Sequence, residues 1–450
     1  MLAAVIFSSY LYTTRALAHA SSLDGSRESM TIPAWLVLLT GGAVIGASFL
    51  LVSMLTDRTY IDWLNRWGPA VDLQPSRTVW TITRLGGVIV LIVLVYVGIT
   101  GPQTSTASLT VLFVWALWWA GYAMTIYLVG NSWPLVNPWR FLADAIPFTA
   151  DRSYPERLGS WPSVVGLFAL VWVEVTTPIT DEPALLATVI AGYSLITVAG
   201  AIVFGSATWF ERADPIARVF RFFGSIAPVQ RTETGVEVGL PGWRLVRDHP
   251  IEGWGDVAFV LGLLWLTTYD GLVATPTWEA TATPLVEVGI PPLLAYLGLL
   301  LGGFGLFVGA YLGATRYAKR IANTTLGVQT LAFTFAGSLL PIAAGYHLAH
   351  YLGYFLHFLP TTVYLAGSPL SPPAQLPVIA VPGWFGTLQL TFVLVGHVVA
   401  IWAAHGIGFE TFTGRLQPIR SQYPYSLVMV VYTMVSIGIV YQPSIAPPYL

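Results

Sequence analysis

Five of the seven histidines in this chain, His347, His350, His357, His397 and His405, lie in two apolar runs between residues 341 and 405. Histidine is costly inside a bilayer and turns there toward a partner or a cavity, so such a cluster reads as a functional site. His347 and His350 stand at i and i+3, and His357 follows seven after His350, which puts all three on one side of a helix. Two carboxylates also fall within apolar runs: Glu174 in Val-Trp-Val-Glu-Val and Asp270 in Thr-Thr-Tyr-Asp-Gly. Counted along helices at about 1.5 Å per residue, Glu174, Asp270, His350 and His397 belong to the same half of the membrane.

Neutral imidazoles with carboxylates suit Zn, Mn, Fe or Cu. The expectation is a divalent metal ion held by His347, His350, His397 and Asp270, with Glu174 as general base toward metal-bound water. His405 is eight residues from His397, and that spacing is roughly 12 Å along a helix, too far for both to reach one ion. His357 and His405 read more plainly as hydrogen-bonding residues between helices. The same groups also fit a transient cation site in a transporter, or paired haem ligands His350 and His397.

The elements that must position these groups are membrane helices. Of the 450 residues 55% are hydrophobic and 9% charged, with a mean hydropathy of +0.69, far from the roughly 25% charged residues of a soluble domain. The many Trp, Tyr and Phe residues suit anchoring at the two interfaces. A net charge of -2 argues against a nucleic-acid partner, leaving membrane lipid and a small molecule reaching the site from the outer side. With no cysteine there are no disulfides, thiolate metal sites or covalent haem.

Residues 1–18 end in Ala16-Leu17-Ala18, a signal-peptidase-like pattern weakened by Arg15 and by the absence of a preceding Lys or Arg. Cleavage there would leave a tail of residues 19–32 beginning at His19, whose amine and imidazole together would suit Cu(II). Residues 33–450 form an all-α polytopic transmembrane bundle. Spans are expected near 33–55, 79–100, 108–129, 162–178, 184–206, 255–275, 291–313, 325–358, 386–405 and 425–442. Lys and Arg concentrate in alternate loops, with six Arg in loop 207–254 and none in loops 101–107, 179–183, 276–290 and 359–385. By the positive-inside rule both mature termini lie outside.

Loop 207–254 predicts an interfacial amphipathic helix over Pro215–Phe223 and a hairpin within 232–242. Asn137-Pro138-Trp139-Arg140 reads as a structural turn, and Pro341 as a kink below the histidines. Gly298, Gly302, Gly305, Gly309 and Gly313 form a stripe that predicts close helix packing, as do Gly42 and Gly46.

Several segments resemble prokaryotic polytopic membrane proteins labelled fenitrothion hydrolase. They are Gly200 to Gly205, Trp209-Phe-Glu-Arg through Phe223-Gly-Ser-Ile-Ala-Pro228, the Asn137 turn, Asp270-Gly271 with Ala274-Thr-Pro276, and Gly396-His-Val-Val-Ala with Ala404-His405. The resemblance covers most of the chain and implies hydrolysis of an organophosphate-type ester. It carries over no catalytic residues. The extended Pro-rich loop 359–385 departs from it and reads as a lid.

Overall fold

The computed structural model describes residues 34–450 except 73, 74, 148, 149, 151, 233 and 234. The expected signal peptide, His19 and the tail to residue 32 lie outside the described residues. The helices used below are α1 (Ala34–Ser53), α2 (Arg58–Arg66), α3 (Arg77–Thr100), α4 (Leu109–Leu128), α5 (Pro138–Ala145), α6 (Trp161–Thr176) and α7 (Pro183–Phe204). They continue with α8 (Pro215–Gly224), α9 (Trp254–Val273), α10 (Pro276–Glu287), α11 (Pro292–Ala322), α12 (Val328–Gly367), α13 (Phe385–Thr411) and α14 (Gln417–Val440). Among the described residues, eight helices are long and apolar enough to cross a membrane, or nine if α1 and α2, bent by 112°, count as one span. The protein is an all-α, multi-pass membrane protein. α6 is apolar but only 16 residues long.

Local chemistry sets the ends of these helices. Asn137 accepts a hydrogen bond from Arg140 N at 3.1 Å and Pro138 takes the first turn of α5, so the expected turn is an N-cap. Asp214 caps α8 in the same way, through Ala217 N at 2.7 Å. α11 stops where Asn323 takes a left-handed conformation, φ 48°. α12 passes through a 3-10 turn at Gly337–Leu339, just before Pro341, so the expected break lies a few residues earlier. α12 then runs on through Pro360 to Gly367, which makes the first part of the expected lid helical. The remainder is strapped to that helix: Ile379 N donates to His357 O at 3.2 Å, and Thr361 Oγ donates to Pro377 O.

α9 is buried along nearly its whole length and forms the centre of the bundle. α12 packs on it and crosses α13 at a point where only glycine fits on either side. A Cβ on Gly345 would lie 2.8 Å from Gly396 Cα, and one on Gly396 would lie 2.9 Å from Gly345 Cα. This crossing fixes the helix that carries His347 and His350.

Two expectations are corrected here. α8 does not lie on the bilayer surface, because Phe220, Phe222 and Phe223 are fully buried in protein and Arg218 is 2% exposed. Arg218 is held by Asp256, which also accepts from Ser160 Oγ and from Glu252 N. Burial pushes Arg218 down to about 10 against the opposing pull of Asp256. The hairpin forms from β2 (Val229–Arg231) and β3 (Val236–Val238), earlier than expected, and β1 (Ala70–Val71) joins β3 antiparallel as a third strand.

The glycine stripe on α11 does not pack: a Cβ on any of its five members meets nothing within 4 Å among the described residues. Gly303, on a different face, makes room for the Trp265 ring, whose Nε1 donates to Leu300 O at 2.8 Å. Gly42 packs on Met434 and Val430 as expected, while Gly46 faces open space.

These contacts give two expected outcomes. Gly345→Ala should cost about 1–3 kcal/mol, since the facing backbone has no room to move, whereas Gly302→Ala should be neutral or stabilising; thermal unfolding in detergent reads both. Asp256→Ala should cost about 3–5 kcal/mol by leaving Arg218 buried without its partner, and a melting temperature equal to wild type would rule out that pairing.

Candidate functional site

α9 presents Asp270 one turn from its end, where α12 presents His350 and Tyr351. Tyr351 OH donates to Asp270 Oδ2 at 3.1 Å, and His350 Nε2 lies 3.6 Å from the same oxygen. Both side chains are largely removed from solvent, at 15% exposure for His350 and 10% for Asp270. A carboxylate in such surroundings is costly unless donors face it; Tyr351 supplies one, and His350 stands within ion-pair distance. The Tyr346 ring stacks on His350 with centroids 5.8 Å apart, and a Cβ on Gly271 would collide with the Tyr346 hydroxyl. Asp270-Gly271 is thus one unit: the first residue supplies the charge and the second the space.

His347 continues the cluster along α12. Its ring lies 4.7 Å from that of Tyr351, and its Nδ1 is 3.1 Å from Tyr127 OH. Its Nε2 is buried with no hydrogen-bond partner among the described residues. The Trp119 ring stands edge-on to His347 at 5.4 Å and to Tyr351 at 6.4 Å. Trp119 belongs to a π-helical stretch, Phe113–Tyr122, in the middle of α4. The wider π turn shifts the register of the following residues, in a stretch whose aromatic series Trp115, Trp118 and Trp119 reaches α12 through Trp119; such stretches often occur beside functional sites.

On the other face of that series lies a cavity of about 740 Å³. Its walls come from α3, the π-helical stretch of α4, α6, α7 and the start of α8, with Trp115, Trp118, Trp119 and Phe355 prominent. The size suits a small apolar molecule, and the walls suit one with few polar groups. Glu174, near the end of α6, is the one charged side chain in the described lining. Its partial accessibility is to this cavity. Glu174 also lies within electrostatic range of Asp270 and Tyr351. Trp119 and Glu174 therefore separate, and connect, the cavity and the Asp270 cluster.

Of the residues expected to share a site, the structure brings together Asp270 and His350, sets His347 next in line and Glu174 on the cavity wall. His397 stands apart. It is fully buried on α13, its Nδ1 bonds Val393 O of its own helix at 2.8 Å, and its Nε2 has no hydrogen-bond partner among the described residues. Among those residues no group of three or more histidines and carboxylates is close enough to hold a metal ion, so the expected four-ligand set is not gathered. The haem reading needs His350 and His397 free to face each other, whereas His350 faces Asp270 and His397 bonds its own helix. His357 and His405 are hydrogen-bonded, to Ile379 O and Leu55 O respectively, each at 2.8 Å.

Sequence reasoning missed Tyr351, Tyr346, Tyr127 and Trp119. Two signals were present: tyrosines directly flank His347 and His350, and Trp118-Trp119 sits in a span otherwise short of polar residues.

The geometry predicts that an apolar carbodiimide delivered from lipid modifies Glu174 and spares Asp270, which the aromatic wall screens from the cavity. Peptide mapping by mass spectrometry checks this; label on Asp270 in preference to Glu174 would contradict the placement of the wall.

No family model, curated protein or solved structure matches this chain.

Proposed function

We propose that this multi-pass membrane protein is a hydrolase that admits an apolar, ester-bearing small molecule into the cavity and acts on it by acid–base chemistry. The observation that carries the reading is one carboxylate, Glu174, on the wall of an otherwise apolar cavity, backed by the Asp270–His350–Tyr351 cluster. An isolated acid in such a place is expensive, and a supported one is suited to moving protons. Glu174 takes the proton of an attacking water, whose oxygen forms the new bond to phosphorus or carbon as the ester oxygen leaves. The departing oxygen takes up that proton from Glu174, which returns to its carboxylate form, with the Asp270–His350 pair within electrostatic range behind it. The resemblance noted in the sequence makes an organophosphate triester the first substrate class to try. No step runs through a metal ion, because the donors expected to hold one are not gathered.

In this reading α6 supplies a tenth crossing, both ends of the chain lie outside, and the site faces outward in the cell membrane. α6 is roughly 24 Å long at 1.5 Å per residue, and a span this short is accommodated by local thinning of the bilayer.

A second reading is transport of a proton or another cation. It draws on Asp270, His350, Tyr351, His347 and Tyr127, which contact one another in turn, with Glu174 within electrostatic range of Asp270.

Protein in proteoliposomes decides between them. Turnover of a phosphorothioate triester and of a plain aryl ester should fall about 10²–10⁴-fold in Glu174→Gln and in His350→Asn. Turnover unchanged by both substitutions would overturn the hydrolase. Cation flux lost in Glu174→Gln, with no turnover in wild type, would assign transport.

A further inference from the structure

A second, smaller cavity of about 210 Å³ opens between α3 and α5, lined by Trp80, Thr81, Arg84, Phe141, Asp144 and Ala145. Two guanidinium groups, those of Arg84 and Arg140, approach one carboxylate, Asp144. Arg84 and Arg231 lie over the Trp80 ring at 4.7 and 4.5 Å, and Arg140 projects from α5. Asp144 satisfies them poorly: its Oδ2 is 3.5 Å from Arg84 Nη1 and 4.0 Å from Arg140 Nε, both beyond a charge-assisted hydrogen bond. Its other oxygen is already taken by Ser206 Oγ at 2.6 Å. Arg140 Nε is buried and has no hydrogen-bond partner among the described residues. Arg84 gives one donor to Pro134 O at 3.1 Å, which fixes the fork without using its Nη groups. An excess of positive charge with unused, oriented donors is the arrangement that binds phosphate.

The surroundings identify the source of that phosphate. Arg84 is three residues from Gly87 on α3, and Phe141 is three from Pro138 on α5; Gly87 and Pro138 both line the large apolar cavity. The basic pocket is therefore one helical turn from the end of an apolar cavity, on the Arg-rich side that the positive-inside rule assigns to the cytoplasm.

We propose that this pocket binds the phosphate of an anionic phospholipid from the inner leaflet, with its acyl chains in the bilayer along the exposed apolar residues of α3, which include Ile82 and Ile89. Arg84 and Arg140 contact the phosphate, Arg231 and Trp80 flank it, and Asp144 limits affinity by offsetting one positive charge. The site is independent of the chemistry at Glu174, and its test does not use turnover.

Native mass spectrometry of the full chain in mild detergent, titrated with phosphatidylglycerol or phosphatidylcholine, provides the measurement. One phosphatidylglycerol per chain should be retained in preference to phosphatidylcholine. The double variant Arg84→Gln/Arg140→Gln should weaken retention about thirtyfold, the loss expected for two cations beside an anionic lipid. Arg84→Lys/Arg140→Lys should keep most of it. Asp144→Asn should retain the lipid as well as wild type or better, whereas a purely structural ion pair predicts that it fails alongside the glutamine variants. Phosphatidylglycerol retention unchanged in the double glutamine variant, or equal retention of the two lipids by wild type, would overturn the proposal. So would binding of inorganic phosphate with no retention of phosphatidylglycerol, which would assign the pocket to a free anion.

Discussion

The arrangement of this protein depends on keeping a carboxylate at Asp270 inside an apolar bundle. Water is scarce there, so each donor must come from the chain, and the donors must be held in place by packing. Tyr351 supplies one and His350 stands within ion-pair distance, from adjacent positions on α12. They reach Asp270 because α12 is fixed on its far side by the Gly345–Gly396 crossing with α13. Gly271 leaves the space in which Tyr346 stacks on His350. Backbone contact on one face of α12 and side-chain chemistry on the other are thus parts of one mechanical arrangement.

The π-helical stretch of α4 sets this cluster beside the apolar cavity. A regular helix would carry Trp115, Trp118 and Trp119 around the axis at 100° steps. The wider turn instead spreads aromatic surface along the cavity while Trp119 still touches His347 and Tyr351. The cavity stays apolar except at Glu174, so a molecule entering it loses water before it meets an ionisable group. Electrostatic interactions are stronger in such a setting than in water, which favours proton transfer at a single well-placed acid. At the opposite end the bundle is tied by Arg218, Asp256 and Ser160, which couple α8, α9 and the start of α6 and so set the floor of the same cavity.

Much of the architecture was legible because it follows from apolar run length: each expected span overlaps a helix in the described residues, and eight of those helices, or nine with the bent pair, are long and apolar enough to cross a membrane. The candidate site was legible in its costliest members, Glu174, Asp270 and His350, since ionisable groups in apolar runs stand out. Grouping was less legible. His397 has the depth of the cluster but points within α13 to bond Val393 O, and rotation about a helix axis is set by packing that a linear count does not contain. The glycine stripe of α11 failed for a related reason. Small residues permit close approach but do not compel it, and the neighbour that approaches α11 does so at Gly303, guided by the Trp265 indole. Arg218 and its neighbours misled because a basic amphipathic helix suits either a lipid surface or a buried carboxylate, and only the structure brings Asp256 to it.

The central claim is that Asp270 and His350 act as one unit inside the bundle. A double-mutant cycle of Asp270→Asn and His350→Asn, read by unfolding free energy in detergent, tests it most directly. The account predicts a coupling of about 1 kcal/mol or more, within the range for residues that share a network. Additive single effects, with coupling near zero, would show that the two residues stand independently and would contradict it.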